Sequence, residues 1–282
     1  MALQSINIGT TANDGTGSTL RAAFDICNDN FSELYGGTTA ALAFKAEGTN
    51  FTGSLIVGHS TTGTISSATY NTALGIGAMD AITSGDHNVA IGYNAATALT
   101  TGIGNVLVGR RAGDAITTGG YNIAIGQDAL SAEDTGGTSI AIGYYALNVQ
   151  NVDSNNYNVA IGHSAGAAVS TGIRNTIIGG LAGDAITTGD NNIAIGYDAL
   201  GTTDVGSSNI AIGKDALLAN VDGSAAIAIG EDALTTQEPG SASNTYNIGI
   251  GHWAGKAITT ATNNVIIGGL AGDAITKCCY RC

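Results

Sequence analysis

The amino-acid sequence predicts an all-β chain: a parallel β-solenoid, or β-roll, of about twelve seventeen-residue coils, preceded by a short coiled-coil-like helix. Three observations carry this. A unit of two aliphatic residues flanking a small one, closed by Gly, recurs through most of the chain, as in "NNIAIGYDAL" at 191–200. There are 43 Gly against one Pro and no Gly-X-Y period, which excludes collagen and favours many short strands joined by turns. Hydrophobic residues make up 44% of the chain but charged ones only 11% and aromatic ones 5%, a composition that argues against an ordinary enzyme.

The first element, within residues 1–36, is a helix over "STLRAAFDICNDNFSELY" with Ser18 as its N-cap. Leu20, Phe24, Cys27, Phe31 and Leu34 follow at intervals of four, three, four and three, a heptad seam under three heptads long and marginal alone. Residues 37–70 read as a hinge followed by strand-like lead-in, with "GSLIVG" at 53–58 a degenerate coil.

The shaft spans 71–276. Its marker glycines are Gly75, Gly92, Gly109, Gly126, Gly143, Gly162, Gly179, Gly196, Gly213, Gly230, Gly251 and Gly268. Their intervals are 17 except for one of 19 and one of 21, which places loops near 150–157 and 235–246. The alternation before each marker is a strand, and the Gly closes it with a bend other residues resist. At strand spacing, twelve stacked coils make a rod ~55–60 Å long.

Four residues before the marker stands Asn in ten of twelve coils, among them Asn88, Asn105, Asn122, Asn158, Asn175, Asn192, Asn209, Asn247 and Asn264; Ser139 and Ala226 are the exceptions. Stacked amides predict a ladder bonded side chain to side chain along the rod. Ala stands three after every marker. Seven coils carry an aliphatic residue at plus seven, as in Ile116 and Ile186, and usually a small one at plus four. The other five reverse this, with Leu130, Leu147, Leu200, Leu217 and Leu234 at plus four and a polar residue at plus seven. A narrow, filled core demands such compensation.

The strand centres are apolar too: Ala90, Leu107, Ala124, Ile177, Ala194, Ala211 and Ile266. A strand apolar on both faces is buried on both, and one small coil covers only one. The strand centres are therefore assigned to the axis of a homo-oligomer with cyclic symmetry, against the alternative of a single-chain roll packing on its own return strand.

Two resemblances join here. Residues 6–35, "INIGTTANDGTGSTLRAAFDICNDNFSELY", resemble the amino-terminal segment found on many bacteriophage tail-fibre and related virion structural proteins. The "NxAIGxxA" units over 71–276 resemble the head repeats of trimeric autotransporter adhesins of the YadA type, whose repeats are typically shorter than seventeen. The second likeness implies trimers of left-handed parallel β-rolls, with Ile193 and Ile195 filling the roll and Ala194 facing the trimer axis. Together they imply a structural fibre protein, a homotrimeric tail-fibre or filament segment. Its partners are further copies, including end-to-end contacts, and a virion or baseplate protein at the amino-terminal end.

The remaining signals bound the function. The net charge is −13 with nine Lys and Arg, so no nucleic-acid partner is expected. The start lacks a basic region followed by an apolar one, and no run of eighteen apolar residues exists. The expectation is therefore no signal peptide and no membrane insertion: cytoplasmic synthesis, then residence in a virion tail fibre or extracellular filament. The body contains no cysteine, so disulfides do not staple it. Cys278, Cys279 and Cys282 in the tail at 277–282 lack a matching ligand pair for metal.

No nucleophile sits beside a base, no dinucleotide fingerprint is complete, and no cofactor is called for, so no enzyme is indicated. Asp198, Asp215 and Asp232 stand two after consecutive markers and form a candidate Ca²⁺ ladder, set against simple solvated carboxylates. Tyr144, Tyr197, His252 and Trp253 in the turns are candidate contacts for a host surface glycan, the adhesin alternative. "ITTG" puts Thr117 and Thr187 on a rank that ice-binding solenoids would use.

Overall fold

A computed structural model describes residues 44–48, 51–57 and 66–276, with side chains from 54 onward. The proposed helix with its seam at Leu20, Phe24, Cys27, Phe31 and Leu34, and the cysteines of the tail, lie outside the described residues.

Among the described residues the first elements are an antiparallel strand pair, β1 (Phe44–Gly48) and β2 (Phe51–Val57), within the segment expected to be hinge and lead-in. β2 then begins a parallel ladder as Leu55 pairs with Thr72 and Val57 with Leu74, which adds a rung ahead of the twelve marker coils. Strands of three residues follow, one per coil: β3 (Thr72–Leu74), β4 (Val89–Ile91), β5 (Val106–Val108), β6 (Ile123–Ile125), β7 (Ile140–Ile142), β8 (Val159–Ile161), β9 (Thr176–Ile178), β10 (Ile193–Ile195) and β11 (Ile210–Ile212). The 21-residue coil adds a two-residue parallel pair, β12 (Gly223–Ser224) with β14 (Ser243–Asn244), around β13 (Ile227–Ile229). β15 (Ile248–Ile250) and β16 (Val265–Ile267) complete the sheet. The result is a parallel β-solenoid of twelve turns with no α-helix among the described residues.

Backbone geometry makes the coils superimpose. Each marker glycine has φ between +128° and +144°, and residues two and four after it are left-handed, as in Asp198 (58°) and Leu200 (54°). A Cβ on Gly196 would meet the Gly213 carbonyl at 2.6 Å, so both torsion and the next coil demand glycine there. A left-handed Leu costs ~1–2 kcal/mol. Full burial of its side chain contributes ~1.5–3 kcal/mol, enough to hold the five leucines in place. In the other seven coils plus-four is Gly except for Ala96 and Met79, both fully buried.

The interior differs from the expectation in one respect. Strand centres point into the coil: Ala90, Leu107, Ala124, Ile177, Ala194 and Ala211 are fully buried within a single chain, and Ile266 in the last coil packs against the same core. They are therefore not on an oligomer axis. Ile193 and Ile195, expected to fill the roll, face outward instead. The reason is space. Ala at plus three, a Leu or Ile at plus four or seven, and the Asn column already occupy most of the lumen. A large strand centre fits only where plus-four shrinks: a Cβ on Gly113 would strike Leu107, and one on Gly166 or Gly183 would crowd Ile177.

The Asn column is buried, but mostly bonds side chain to main chain. The Asn192 amide nitrogen donates to Asn175 Oδ1 (2.9 Å), its Nδ2 donates to the Gly206 carbonyl (2.8 Å), and its Oδ1 accepts from the Asn209 backbone (3.0 Å). Direct amide-to-amide bonds join a minority, such as Asn105 to Asn88 (3.0 Å). Asn192→Ala leaves the Asn209 N–H and the Gly206 C=O unpaired in the core, and is expected to lose ~2–4 kcal/mol by urea unfolding. Asn192→Ser should lose less, since Ser54 already accepts from the Asn71 backbone at 2.8 Å in the lead-in coil.

The two gaps in the column are filled from elsewhere. The coils containing Ser139 and Ala226 are those with insertions, and each carries Gln at plus seven. Gln150 accepts from Asn158 Nδ2 (2.7 Å) and Gln237 accepts from Asn247 Nδ2 (2.7 Å). Gln150 also donates to Glu133 (3.0 Å), whose carboxylate takes the Gly136 N–H (2.8 Å) and Asn156 Nδ2 (2.7 Å).

Burial raises the Glu133 pKa above its ordinary 4.5, against these hydrogen bonds, which lower it. A raised carboxyl contributes stability that is full below the unfolded value and is lost as pH rises through the folded one. Glu133→Gln is therefore expected to match or exceed the wild-type melting temperature at pH 7. The wild type should gain on it as pH falls toward 4.5. Asn156 Oδ1, which has no hydrogen-bond partner, offers the new amide an acceptor once its own amide turns over.

Candidate assembly face

The outward side of the sheet is the most distinctive surface of the molecule. Positions three and one before the marker face out in every coil, and 22 of these 24 are Ile, Val or Leu, with Thr72 and Thr176 the exceptions. None is fully buried; the exposed ones include Leu74 at 52%, Ile125 at 38% and Ile267 at 66%. No charged group interrupts either row over ~55 Å. The two rows form one continuous uncharged apolar stripe, a feature that marks an interaction surface where scattered single hydrophobics do not.

Two further outward ranks flank the stripe. Position −5, left-handed in every coil, carries Tyr70, Tyr121, Tyr157 and Tyr246, all more than half exposed. Position +1 carries Tyr93, Tyr144, Tyr197 and a series of polar residues. An aliphatic centre with a polar and aromatic rim is the usual anatomy of a protein interface.

Three of the four turn residues proposed as glycan contacts are engaged within the chain. Tyr144 stacks on His163 (5.2 Å between centroids) and meets Tyr145 edge-on. Trp253 carries the His252 ring at 5.0 Å and Lys256 Nζ at 4.0 Å. Tyr197 alone has no ring partner, and Gly180 of the preceding coil lies beneath it. The Thr117 hydroxyl donates inward along the rod to the Asp134 carbonyl (3.1 Å), and that of Thr187 to the Asp204 carboxylate.

The acidic column is neutralised in part. Lys214 donates to Asp215 (2.6 Å) and Lys256 to Asp232 (2.9 Å). Burial pushes the Asp232 carboxyl up, but the bonds from Lys256, Thr235 and Trp253 outweigh it and hold the pKa below the ordinary value. Asp198 is raised by burial and then by Asp215, and Asp184 by burial and then by Asp198. Among the described residues no three carboxylates, imidazoles or thiols converge on a point that would hold a metal ion.

The stripe was missed because the expectation put its aliphatic side chains inside. The parity of the pattern contains it: −3 and −1 share one face of the three-residue strand, while the centre at −2 takes the other. Comparison with protein-family models, with curated proteins and with solved structures finds no match for this chain.

Proposed function

We propose that this chain is a structural fibre protein in which copies pack their outward sheet faces around an axis parallel to the rod. The number proposed is three, giving a homotrimeric segment of a tail fibre or filament attached through its amino-terminal end. One observation carries this reading: the uncharged aliphatic double row repeats identically from coil to coil. Only a surface with the same rung spacing matches it along its length, and another copy is such a surface. The likeness of residues 6–35 to phage tail-fibre segments and of the repeats to trimeric adhesin heads supports the fibre and the number.

The test is the mass in solution. Sedimentation equilibrium at micromolar concentration should return three times the chain mass of 27.9 kDa. A dimer overturns the number of copies, and a monomer overturns the reading.

A further inference from the structure

We propose that the copies meet along a rung-matched seam, the −5 edge of one protomer lying against the +1 edge of the next at the same coil. This rests on the reading above, that the outward face joins copies. An axis of cyclic symmetry parallel to the rod carries no translation, so each coil meets its own counterpart at equal height. The interface is then heterologous, and the two edges of one chain must complement each other coil by coil. A two-fold axis across the rod would instead pair the first coil with the last.

The edges are complementary in the first sense. In three coils both edges are aromatic, and each time the pair is one tyrosine and one histidine: His87 with Tyr93, Tyr157 with His163, Tyr246 with His252. In six of the other nine coils a larger side chain on one edge stands level with a smaller one on the other, Tyr70 with Ile76, Tyr121 with Gln127 and Asn191 with Tyr197 being the exceptions. Gly104 faces Arg110, Thr138 faces Tyr144, and Ala225 faces Glu231.

Charge follows the same rule. Arg174 is the one Arg or Lys on the −5 edge, and among the described residues it forms no ion pair within its own chain. Its level partner is Gly180, which has no side chain; the Gly180 carbonyl accepts from the Asp198 N–H of the adjoining coil (3.1 Å), and Asp198 is near enough to Asp184 to raise its carboxyl. The neighbour's guanidinium crosses the glycine to reach carboxylates that have no Lys bonded to them.

The seam is tested by cross-linking in the full chain with Cys27, Cys278, Cys279 and Cys282 changed to Ser. Ser208→Cys and Lys214→Cys, both exposed and level in one coil, are combined and treated with a short bis-maleimide. Controls are Ser208→Cys alone and Ser208→Cys with Gln127→Cys, five coils apart or ~24 Å along the rod. The expected result is a covalent trimer on denaturing gels, at least ten-fold more abundant for the level pair than for either control. If the protein sediments as an oligomer but the controls cross-link equally, or no pair does, the seam is overturned and the outward-face reading stands. Sedimentation as a monomer overturns both.

Discussion

Gly179→Ala is expected to break the shaft at its middle, with a loss of ~2–6 kcal/mol and a fall in melting temperature on the order of 5–20 °C. Two costs add. At φ +140° an L side chain is strained, worth ~1–3 kcal/mol. The new Cβ would also stand 2.3 Å from the Gly196 carbonyl oxygen of the next coil, a backbone atom that cannot swing away. Relieving that overlap separates two coils and strips the bonds between them, at a further ~1–3 kcal/mol or more. The damage spreads because each coil of a solenoid contacts only its neighbours, so a weak junction uncouples the two halves.

Gly268→Ala supplies the comparison. Its φ is +128°, yet the nearest atom to the added Cβ is Ala271 Cβ at 3.7 Å, because no described coil follows. That variant should bear the torsional cost alone, ~1–3 kcal/mol. Thermal unfolding followed by circular dichroism measures both, and equal losses would mean that coil-to-coil crowding contributes nothing.

The spacing of those glycines made the stacking legible before any coordinates, since twelve recurrences at one interval have no simpler physical outcome than coils in register. The direction of each strand's faces was not legible from alternation alone. A triplet such as Ile193-Ala194-Ile195 is symmetric under exchange of inside and outside until the volume of the lumen is known. The clue that decides it was nonetheless present. Strand centres are large at Leu107, Ile177 and Ile266, and the coils that carry them have Gly113, Gly183 and Gly272 at plus four. Residues that trade volume in this way share one cavity.

The polar plugs were readable by the same logic. Ser139 and Ala226, the two breaks in the Asn column, fall in the two coils that end in Gln150 and Gln237 and in the two longer intervals. Three coincidences at both sites are one device. An amide lost from one wall of the lumen is restored from the opposite wall, and the longer coil gives that wall its room. What remained hidden was the depth of Glu133, because a polar residue at plus seven reads as solvated until its partners Gly136, Gln150 and Asn156 close around it.

Ile193→Asp combined with Ile210→Asp is expected to dissociate the assembly while leaving the solenoid intact. Both side chains face outward and are partly exposed in the isolated chain, so replacing them removes little from its core. In the oligomer each copy would bring two carboxylates into an apolar seam with no cation in either aliphatic row. An unpaired buried charge costs ~3–5 kcal/mol. Two per protomer therefore weaken association by at least ~10⁴-fold, since each 1.4 kcal/mol is a factor of ten. Sedimentation should return the monomer mass, and far-ultraviolet circular dichroism should keep the wild-type shape. Ala194→Asp, at the centre of β10 between Ile193 and Ile195, tests the opposite face: its carboxylate would enter the filled lumen, so the chain itself should unfold. An Ile193→Asp/Ile210→Asp chain that keeps the wild-type mass removes the outward sheet from the interface, whatever the number of copies.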